Sequence, residues 1–383
     1  MKKIYILLGI MLFVFTGCGK SIFEFTPSDE WETEWKRRGG YEKIVPYQKG
    51  FYYQNGENCF CYYDIDSKQS LILCNKKGCS HKNDSCFAKM TNFDLPVIHN
   101  DKLVFVNASG RVMVSNPDHT AKKEVFTILE KSQEEGMIVL VENYFSTDSH
   151  LYCNVSVMEH DERGELKTNE QRIYAIDWKT YEETEIARCN PEEYILEMIS
   201  ASNDVLYYSR QNALSELYAT AETWTQEDYQ EAERRTEVEV FRRCVKEPEE
   251  VLVKHVQNGY VVTANDVVGV LYAECAGTGY WSMKNLVQFQ PSDGTEKELF
   301  TAQGQDYLSI GFAGANVLKL YYTESKTVDL YDLNSMQELD VDWEEDGQST
   351  SAWKVPTGFA VPKETLVDGA VYEYGHDWKV IPY

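Results

Sequence analysis

Basic residues are scarce in this chain of 383 residues. Its 37 lysines and arginines are outnumbered by 62 aspartates and glutamates, which gives a formal net charge of −25. A surface this acidic repels a phosphate backbone, so we expect no nucleic acid among the partners of the protein. A strongly acidic partner of any other kind is disfavoured for the same reason.

Long apolar runs and catalytic motifs are also missing. No apolar run reaches the roughly 20 residues that a membrane-spanning helix needs. The sequence has no Gly-x-Ser-x-Gly turn, no His-Glu-x-x-His motif, no phosphate-binding loop and no dinucleotide fingerprint. The sequence therefore indicates no particular reaction. Its 43% of hydrophobic residues is still ample for a large buried core, which indicates a globular protein.

The N-terminus has the order of a secretory signal peptide: two lysines, the apolar stretch of residues 4–16, and then a small residue. Phe15-Thr16-Gly17-Cys18 resembles a bacterial lipobox, in which the cysteine is acylated and becomes the first residue of the mature chain. The resemblance implies a lipoprotein that carries diacylglycerol and palmitate at Cys18, anchored outside the cell on the cytoplasmic membrane. The alternative is an ordinary secretory cleavage in which Cys18 has no role.

We therefore expect three parts: a lipoprotein signal peptide (1–17), a lipidated tether (18–40) and one folded domain (41–383). Within the tether, Ser28-Asp29-Glu30-Trp31 is typical of a helix start, and Gly39-Gly40 of a helix end. This pattern predicts a short tether helix.

Short strands recur along the folded domain, where apolar and polar residues alternate. Each unit has an entry strand with paired aromatic or aliphatic residues, then a second strand that ends at a polar turn. The six clear entry strands lie at residues 50–53, 102–105, 150–153, 205–208, 259–262 and 318–322, and a weaker seventh unit covers residues 358–374. Repeats of this length are typical of β-propellers, in which radially packed sheets bury one another. We predict an all-β fold, a β-propeller with seven blades.

Two further features complete this prediction. The fourth unit has the longest insertion, residues 223–236, in which Thr225 and Asp228 can cap a polar helix, so we expect a helical insertion in the fourth blade. Ring closure requires both chain ends, and Lys43-Ile44-Val45-Pro46-Tyr47 is the strand we expect beside residues 378–381 of the last blade. A pair of β-sandwiches is the alternative architecture, and the long repeat disfavours it.

Five of the ten cysteines lie within residues 59–86. Cys74, Cys79, His81 and Cys86 supply three thiols and an imidazole, a set of ligands that binds zinc tetrahedrally in many proteins. Because four protein ligands fill a tetrahedral site, the cluster favours a structural zinc ion over a catalytic one.

Disulfides are an alternative that an exported location permits. A hairpin centred on Ser67-Lys68 would place Cys61 opposite Cys74, and a Cys61–Cys74 disulfide would remove Cys74 from any metal site. Free thiols in a reducing environment are the third reading.

The lipobox, the tyrosine-rich blades and the run Leu73-Cys74-Asn75-Lys76-Lys77-Gly78-Cys79-Ser80-His81 resemble uncharacterised lipoproteins of anaerobic Firmicutes. Those proteins are described as having a propeller domain similar to that of low-density-lipoprotein-receptor-related proteins. The Tyr-Trp-Thr-Asp signature of the receptors is absent here, so their ligands do not carry over. The resemblance implies a non-enzymatic protein on the cell surface whose ligand is unknown.

We therefore expect a lipid-anchored, extracytoplasmic propeller that binds a protein or a glycan and has no catalytic residues. The aromatic content, with 26 tyrosines and 8 tryptophans, suits both blade packing and recognition. The alternative is an extracytoplasmic hydrolase or lyase that uses carboxylates at the propeller channel to act on glycans.

Overall fold

The computed structural model describes the following residues of the chain: 36–37, 44–55, 57–82, 86–89, 95–134, 137–160, 164–215, 224–278, 283–301, 308–312, 317–322, 328–333, 335, 337–339, 353–355, 358–367 and 371–382.

Six antiparallel four-stranded sheets follow one another along the chain and form the blades of a β-propeller. Blades 5 and 6 are joined into one larger sheet by the pairing of Met283 with Leu308. The strands are β1 (Lys36–Arg37); β2–β5 in blade 1 (Ile44–Tyr47, Gly50–Gln54, Phe60–Asp64, Gln69–Ile72); β6–β9 in blade 2 (Val97–His99, Lys102–Val106, Arg111–Ser115, Lys123–Thr127); β10–β13 in blade 3 (Ile138–Ser146, His150–His160, Leu166–Asp177, Glu183–Cys189); β14–β17 in blade 4 (Tyr194–Ser202, Val205–Asn212, Glu237–Cys244, Glu250–Gln257); β18–β21 in blade 5 (Gly259–Asn265, Gly269–Cys275, Met283–Gln290, Thr295–Thr301); β22–β25 in blade 6 (Leu308–Phe312, Val317–Tyr322, Val328–Asp332, Gln337–Leu339); and β26–β28 in a last sheet (Trp353–Val355, Gly358–Val367, Val371–Pro382). The predicted all-β propeller is confirmed.

The first strand of each blade lines the central channel, and the fourth lies at the rim. The fourth strands are the more exposed ones, as β5 and β21 illustrate. First strands lie beside first strands of neighbouring blades, as β6 does beside β10 and β14 beside β18. Because successive strands alternate in direction, the connections between strands 1 and 2 and between strands 3 and 4 share one face of the disc. We call it the near face. The connections between strands 2 and 3 and between blades lie on the opposite face, the far face.

The hydrophobic core is distributed over the interfaces between blades. Phe60 of blade 1 meets Phe105 of blade 2 edge to face, with ring centroids 5.4 Å apart. Tyr152 of blade 3 packs in one cluster with Leu206 of blade 4, and each of these side chains is fully buried. Each blade thus buries its faces against its neighbours, which is the reason a sheet with two apolar faces is stable here.

The prediction of seven four-stranded blades is wrong. The seventh unit has three strands within the described residues, and the strand expected to complete it, at residues 43–47, forms β2 of blade 1, where Ile44 pairs with Tyr53. A hairpin between adjacent segments costs less loop-closure entropy than pairing with the far end of the chain. The last sheet still contacts blade 1, since Ala360 is buried in the cluster that contains Ile44 and Phe51.

Two helices connect strands among the described residues. α1 (Glu130–Glu134) follows blade 2, and α2 (Gln226–Arg235) links β15 to β16 within blade 4. Thr225 and Asp228 form a capping box at the start of α2. The helical insertion expected at residues 223–236 therefore amounts to a ten-residue connecting helix and not to a separate inserted unit.

The tether prediction places a helix where the described part has a strand. Residues 18–35, with Cys18 and the predicted helix start, lie outside the described residues, as does the signal peptide. Lys36–Arg37 form β1, which pairs antiparallel with β14 of blade 4. In β1, hydrogen bonds to the edge of β14 take the place of the intrahelical hydrogen bonds that the sequence predicts. No local sequence pattern encodes this pairing.

Tyrosine hydroxyls link neighbouring blades. Tyr152 donates to the carbonyl oxygen of Asn203 at 2.7 Å, across the interface of blades 3 and 4. Tyr52 donates to the carbonyl oxygen of Pro117 at 3.0 Å, across the interface of blades 1 and 2. The rings contribute buried area and the hydroxyls fix the position of one blade against the next.

We expect Tyr152→Phe to lower the free energy of unfolding by about 1 kcal/mol, because it removes one buried hydrogen bond and keeps the ring. Asn203 keeps a second donor, the Thr147 hydroxyl at 3.2 Å, so the loss should stay near this value. Urea unfolding measures it. The control is Tyr181→Phe, whose ring is exposed. Equal stabilities for the two variants would contradict the role of this hydrogen bond.

Candidate metal centre

The connection from blade 1 to blade 2 begins at Leu73 and carries the cysteine cluster on the far face. The structure brings together Cys74, Cys79, His81 and Cys86, whose ligand atoms all lie within 4.8 Å of one another. In a tetrahedral zinc site with Zn–S bonds of about 2.3 Å, the sulfur atoms lie roughly 3.8 Å apart. The largest separation here would therefore have to shorten by about 1 Å for all four atoms to bind one ion. The four residues therefore form a group that can hold a metal ion.

Local backbone geometry folds this short loop. Gly78 has a φ of 71° and His81 a φ of 58°, both in the left-handed region, and the amide of Cys79 donates to the carbonyl oxygen of Lys76 at 3.1 Å. A left-handed residue reverses the chain within one step, which is why glycine suits position 78. His81 adopts the same conformation and places its Nδ1 atom 3.3 Å from Sγ of Cys86.

Four thiols in and beside this centre, those of Cys59, Cys61, Cys79 and Cys86, have shifted pKa values. The backbone amide of His81 donates a hydrogen bond that lowers the pKa of Cys79, the thiol best prepared to act as a thiolate. Burial raises the pKa of Cys86 to about 11 and that of Cys61 to about 12. Burial also raises the pKa of Cys59. A metal ion would have to displace the proton of Cys86, so its binding would release protons.

The neighbouring strands hold the loop at its end. The amide of Phe60 donates to the carbonyl oxygen of Ala88 at 2.7 Å, and Cys59 forms an isolated β-bridge with Lys89. The Cys59 thiol also lies 3.7 Å from the carbonyl oxygen of His81 and can donate to it. Cys59 therefore contacts the loop that carries the cluster, but it is not one of the four ligand candidates.

A residue of blade 2 holds the start of the loop. His119 is 3% exposed, packs against the rings of both Phe60 and Phe105, and donates from Nδ1 to the carbonyl oxygen of Leu73 at 3.2 Å. His119 is not among the site residues that the sequence predicts. No spacing pattern could have identified it, because only the packing of blade 2 on blade 1 brings it to Leu73.

The register that motivated the disulfide differs from the expected one. Cys61 pairs with Ile72 and Asp64 with Gln69, which leaves the four residues 65–68 in the turn. The Asp64 carboxylate accepts from the amide of Ser67 at 2.7 Å, and Lys68 takes a φ of 55°. The hairpin is therefore centred on Asp66-Ser67, one residue earlier than expected, and Cys61 does not pair with Cys74. Cys59, Cys61, Cys74, Cys79 and Cys86 are all free thiols.

No family model and no curated protein matches the chain. Its fold is similar to that of an oligogalacturonate lyase solved in complex with manganese, with 10% identity and a TM-score of 0.43 over 83% of this chain and 81% of the lyase. It is also similar to the acylaminoacyl peptidase of Pyrococcus horikoshii, with 12% identity and a TM-score of 0.49 over 87% of this chain. The chain covers 49% of that peptidase, about half its length. At these identities the likeness lies in the fold alone and assigns no activity.

We expect His119 to make stability pH-dependent. Burial lowers its pKa from 6.5 to about 4, so between these values the unfolded chain binds a proton that the folded chain does not. Stability should therefore fall as the pH drops from about 6.5 to about 4, by at most about 3 kcal/mol.

Urea midpoints at several pH values measure this effect. His119→Gln should flatten the decline across the window, whatever it costs at neutral pH. The matched control is His160→Gln, an exposed histidine, which should keep the decline. If both variants decline equally, His119 is not the group responsible.

Proposed function

We propose that this protein is a lipid-anchored, extracytoplasmic β-propeller that binds a protein or a glycan without catalysing a reaction. The signal-like residues 1–17 and the lipobox resemblance at Cys18 support the anchor. The part of the chain that the structure describes includes no helix long and apolar enough to cross a membrane. The resemblance to Firmicutes lipoproteins supports the same location, the outer face of the cytoplasmic membrane.

The observation that best supports the binding role is that β1 lies in the central channel. β1 lies on the channel edge of β14 and beside β10, so a segment of the chain itself enters the channel. A channel that is occupied in this way favours binding over catalysis, because a substrate would have to share it.

The alternative, a hydrolase or lyase acting on glycans, needs carboxylates that converge at the channel. Within the described bounds of the six channel-lining strands, carboxylates occur at two positions, Glu142 of β10 and Glu197 of β14. One oxygen of Glu142 already accepts from the Ser156 hydroxyl at 2.7 Å. β1 lies between the two strands that carry these acids, which disfavours a substrate there.

The far face offers a surface for recognition. β1 runs antiparallel to β14, so the N-terminal end of β1 points to the near face, and a lipid at Cys18 would direct the far face away from the membrane. On the far face, Tyr194 and Ile195 at the channel mouth are 39% and 41% exposed, and Tyr229 of α2 and Phe87 beside the cysteine cluster are also exposed. Exposed aromatic side chains are frequent anchors for proteins and sugars.

We also propose that Cys74, Cys79, His81 and Cys86 hold a structural zinc ion, since the four donors leave no position for a substrate. The ion would tie the loop between blades 1 and 2 into one shape. It would need three thiolates and an imidazole whose ligand nitrogen carries no proton. A Cys61–Cys74 disulfide is incompatible with this ion, because it would remove the Cys74 thiolate.

Binding should depend on the channel mouth of the far face. We expect Tyr194→Ser combined with Ile195→Ser to weaken binding of an envelope glycan or surface protein at least about tenfold, or about 1.4 kcal/mol. The mature chain on a biosensor surface, probed with wall polysaccharide fragments and with secreted proteins, measures this. The matched control is Val251→Ser with Leu252→Ser, a more exposed apolar pair on the rim strand of the same blade. Cleavage of a bound glycan that Glu197→Gln abolishes would establish the enzyme instead.

Elemental analysis tests the zinc proposal. Purified mature chain should contain about one zinc ion per molecule, and Cys79→Ser should lose it. The control is Cys189→Ser, a half-buried cysteine of blade 3 outside the cluster, which should keep the ion. A metal-free protein in which mass mapping finds Cys61 bonded to Cys74 would reject zinc in favour of the disulfide.

A further inference from the structure

Two buried asparagines lie side by side where blade 3 packs on blade 4. Asn143 of the channel-lining strand β10 pairs directly with Asn154 of the neighbouring strand β11. Cross-strand partners project from the same face of a sheet. Asn154 donates from Nδ2 to the carbonyl oxygen of Leu196 in β14 at 2.9 Å, so the face that carries both asparagines is turned toward blade 4.

The carboxamide oxygens of these two asparagines are unmatched. Each residue is 2% exposed, and neither Oδ1 atom has a hydrogen-bond partner among the described residues. For Asn154 the contact with Leu196 distinguishes the two ends of the amide, because a carbonyl oxygen accepts only from the nitrogen. A buried acceptor without a donor is destabilising. Two such oxygens on adjacent strands therefore indicate a bound group.

A carboxylate lies beside the two asparagines. Glu142 is the extra residue of a bulge between Val141 and Asn143, a feature that re-aims a side chain. Its Oε1 atom accepts from the hydroxyl of Ser156 at 2.7 Å. Ser156 follows Asn154 by two positions on β11 and therefore projects from the same face. Ser156 thus holds the Glu142 carboxylate on the face that carries the two unmatched oxygens.

The chemistry of these groups fits a hard cation. The two unmatched buried atoms are both acceptors, which a cation satisfies and an anion does not. Carboxylate and carboxamide oxygens favour calcium and magnesium ions over zinc. Ca²⁺ accepts about six to eight oxygens in a flexible arrangement, whereas Mg²⁺ requires a near-ideal octahedron with shorter bonds of about 2.1 Å. Ligands held at fixed positions on two neighbouring strands suit the flexible shell of calcium better.

Exposure and charge also suit a cation at this position. Glu142 is exposed, so an ion can reach the carboxylate from solvent, while the two asparagines lie on the buried side. Partial exclusion of water strengthens the attraction between an ion and its ligands. The net charge of −25 raises the concentration of cations around the whole chain.

We propose that Glu142, Asn143 and Asn154 bind a calcium ion at the channel side of blade 3, and that Ser156 positions the carboxylate. The three side chains supply part of the coordination shell, and water or a ligand in the channel supplies the rest. Because Asn154 also bonds to β14, the ion would reinforce the packing of blade 3 on blade 4. The site is separate from the cysteine cluster, and it goes beyond the proposed binding role without depending on it.

Calorimetric titration of the mature chain with calcium chloride, after dialysis into metal-free buffer, tests this site. We expect saturable binding of about one ion per chain, at least about tenfold tighter than that of Mg²⁺ or Na⁺. Glu142→Gln should weaken calcium binding at least about tenfold, because it removes the one charged ligand. The matched control is Glu159→Gln, an exposed acid farther along β11, which should bind like the wild type. No saturable binding, equal affinity for the three ions, or equal affinity of the two variants would overturn the proposal.

A variant that gains affinity separates a ligand from a residue with a merely structural role. Asn143→Asp adds a second carboxylate and should tighten calcium binding at least about tenfold, and calcium should raise its unfolding temperature more than that of the wild-type chain. Unchanged or weaker calcium binding by this variant would contradict the site. Cys79→Ser, which removes a zinc ligand candidate, should keep calcium binding, and its loss there would place the ion at the cysteine cluster instead. The proposed binding role is tested separately, by the Tyr194 and Ile195 variants with glycans and surface proteins.

Discussion

The burial of one blade against the next is the constraint on which this molecule depends. Each four-stranded sheet has apolar residues on both faces, and the large rings of Tyr52, Phe60 and Phe105 become buried only where two blades meet. A fully buried ring of this size stabilises the folded state by a few kcal/mol relative to exposure, so a single blade would leave several such contributions unrealised. The blades therefore stabilise one another in sequence around the ring, and the tyrosine hydroxyls that cross the interfaces fix their relative positions.

The ring also gives the molecule two faces and one axis. The candidate functional residues lie either on the far face or along this axis. The connections within and between blades that carry the cysteine cluster, α2 and the exposed Tyr194 all emerge on the far face. The channel edges of the first strands converge on the axis, where β14 accepts β1 and where Glu142 and Glu197 lie on adjacent strands.

The cysteine cluster depends on both local contacts within its loop and distant contacts with the blades. Four candidate ligands within 13 residues of sequence need only a short turn at Gly78 and His81 to meet. The position of that turn relative to the blades is set by contacts from elsewhere. His119 of blade 2 donates to the carbonyl oxygen of Leu73, and Cys59 and Phe60 pair with the end of the loop at Lys89 and Ala88. An ion bound here would reinforce a contact between blades 1 and 2 that packing already makes.

The sequence alone determined the alternation of short strands, the propeller they build, the segment that contains α2 and the four grouped metal-ligand candidates, because each of these depends on neighbours within a few residues. Five of the six entry strands are second strands of blades, and Gly259–Val262 begins blade 5 as a first strand. Only the tertiary structure decided that six blades have four strands, that residues 44–47 open blade 1, that Cys61 faces Ile72, that Lys36–Arg37 form a strand and that His119 supports the cluster. These features depend on which sheet edges and faces meet in space, and the energy of such contacts belongs to pairs of residues that no local pattern connects.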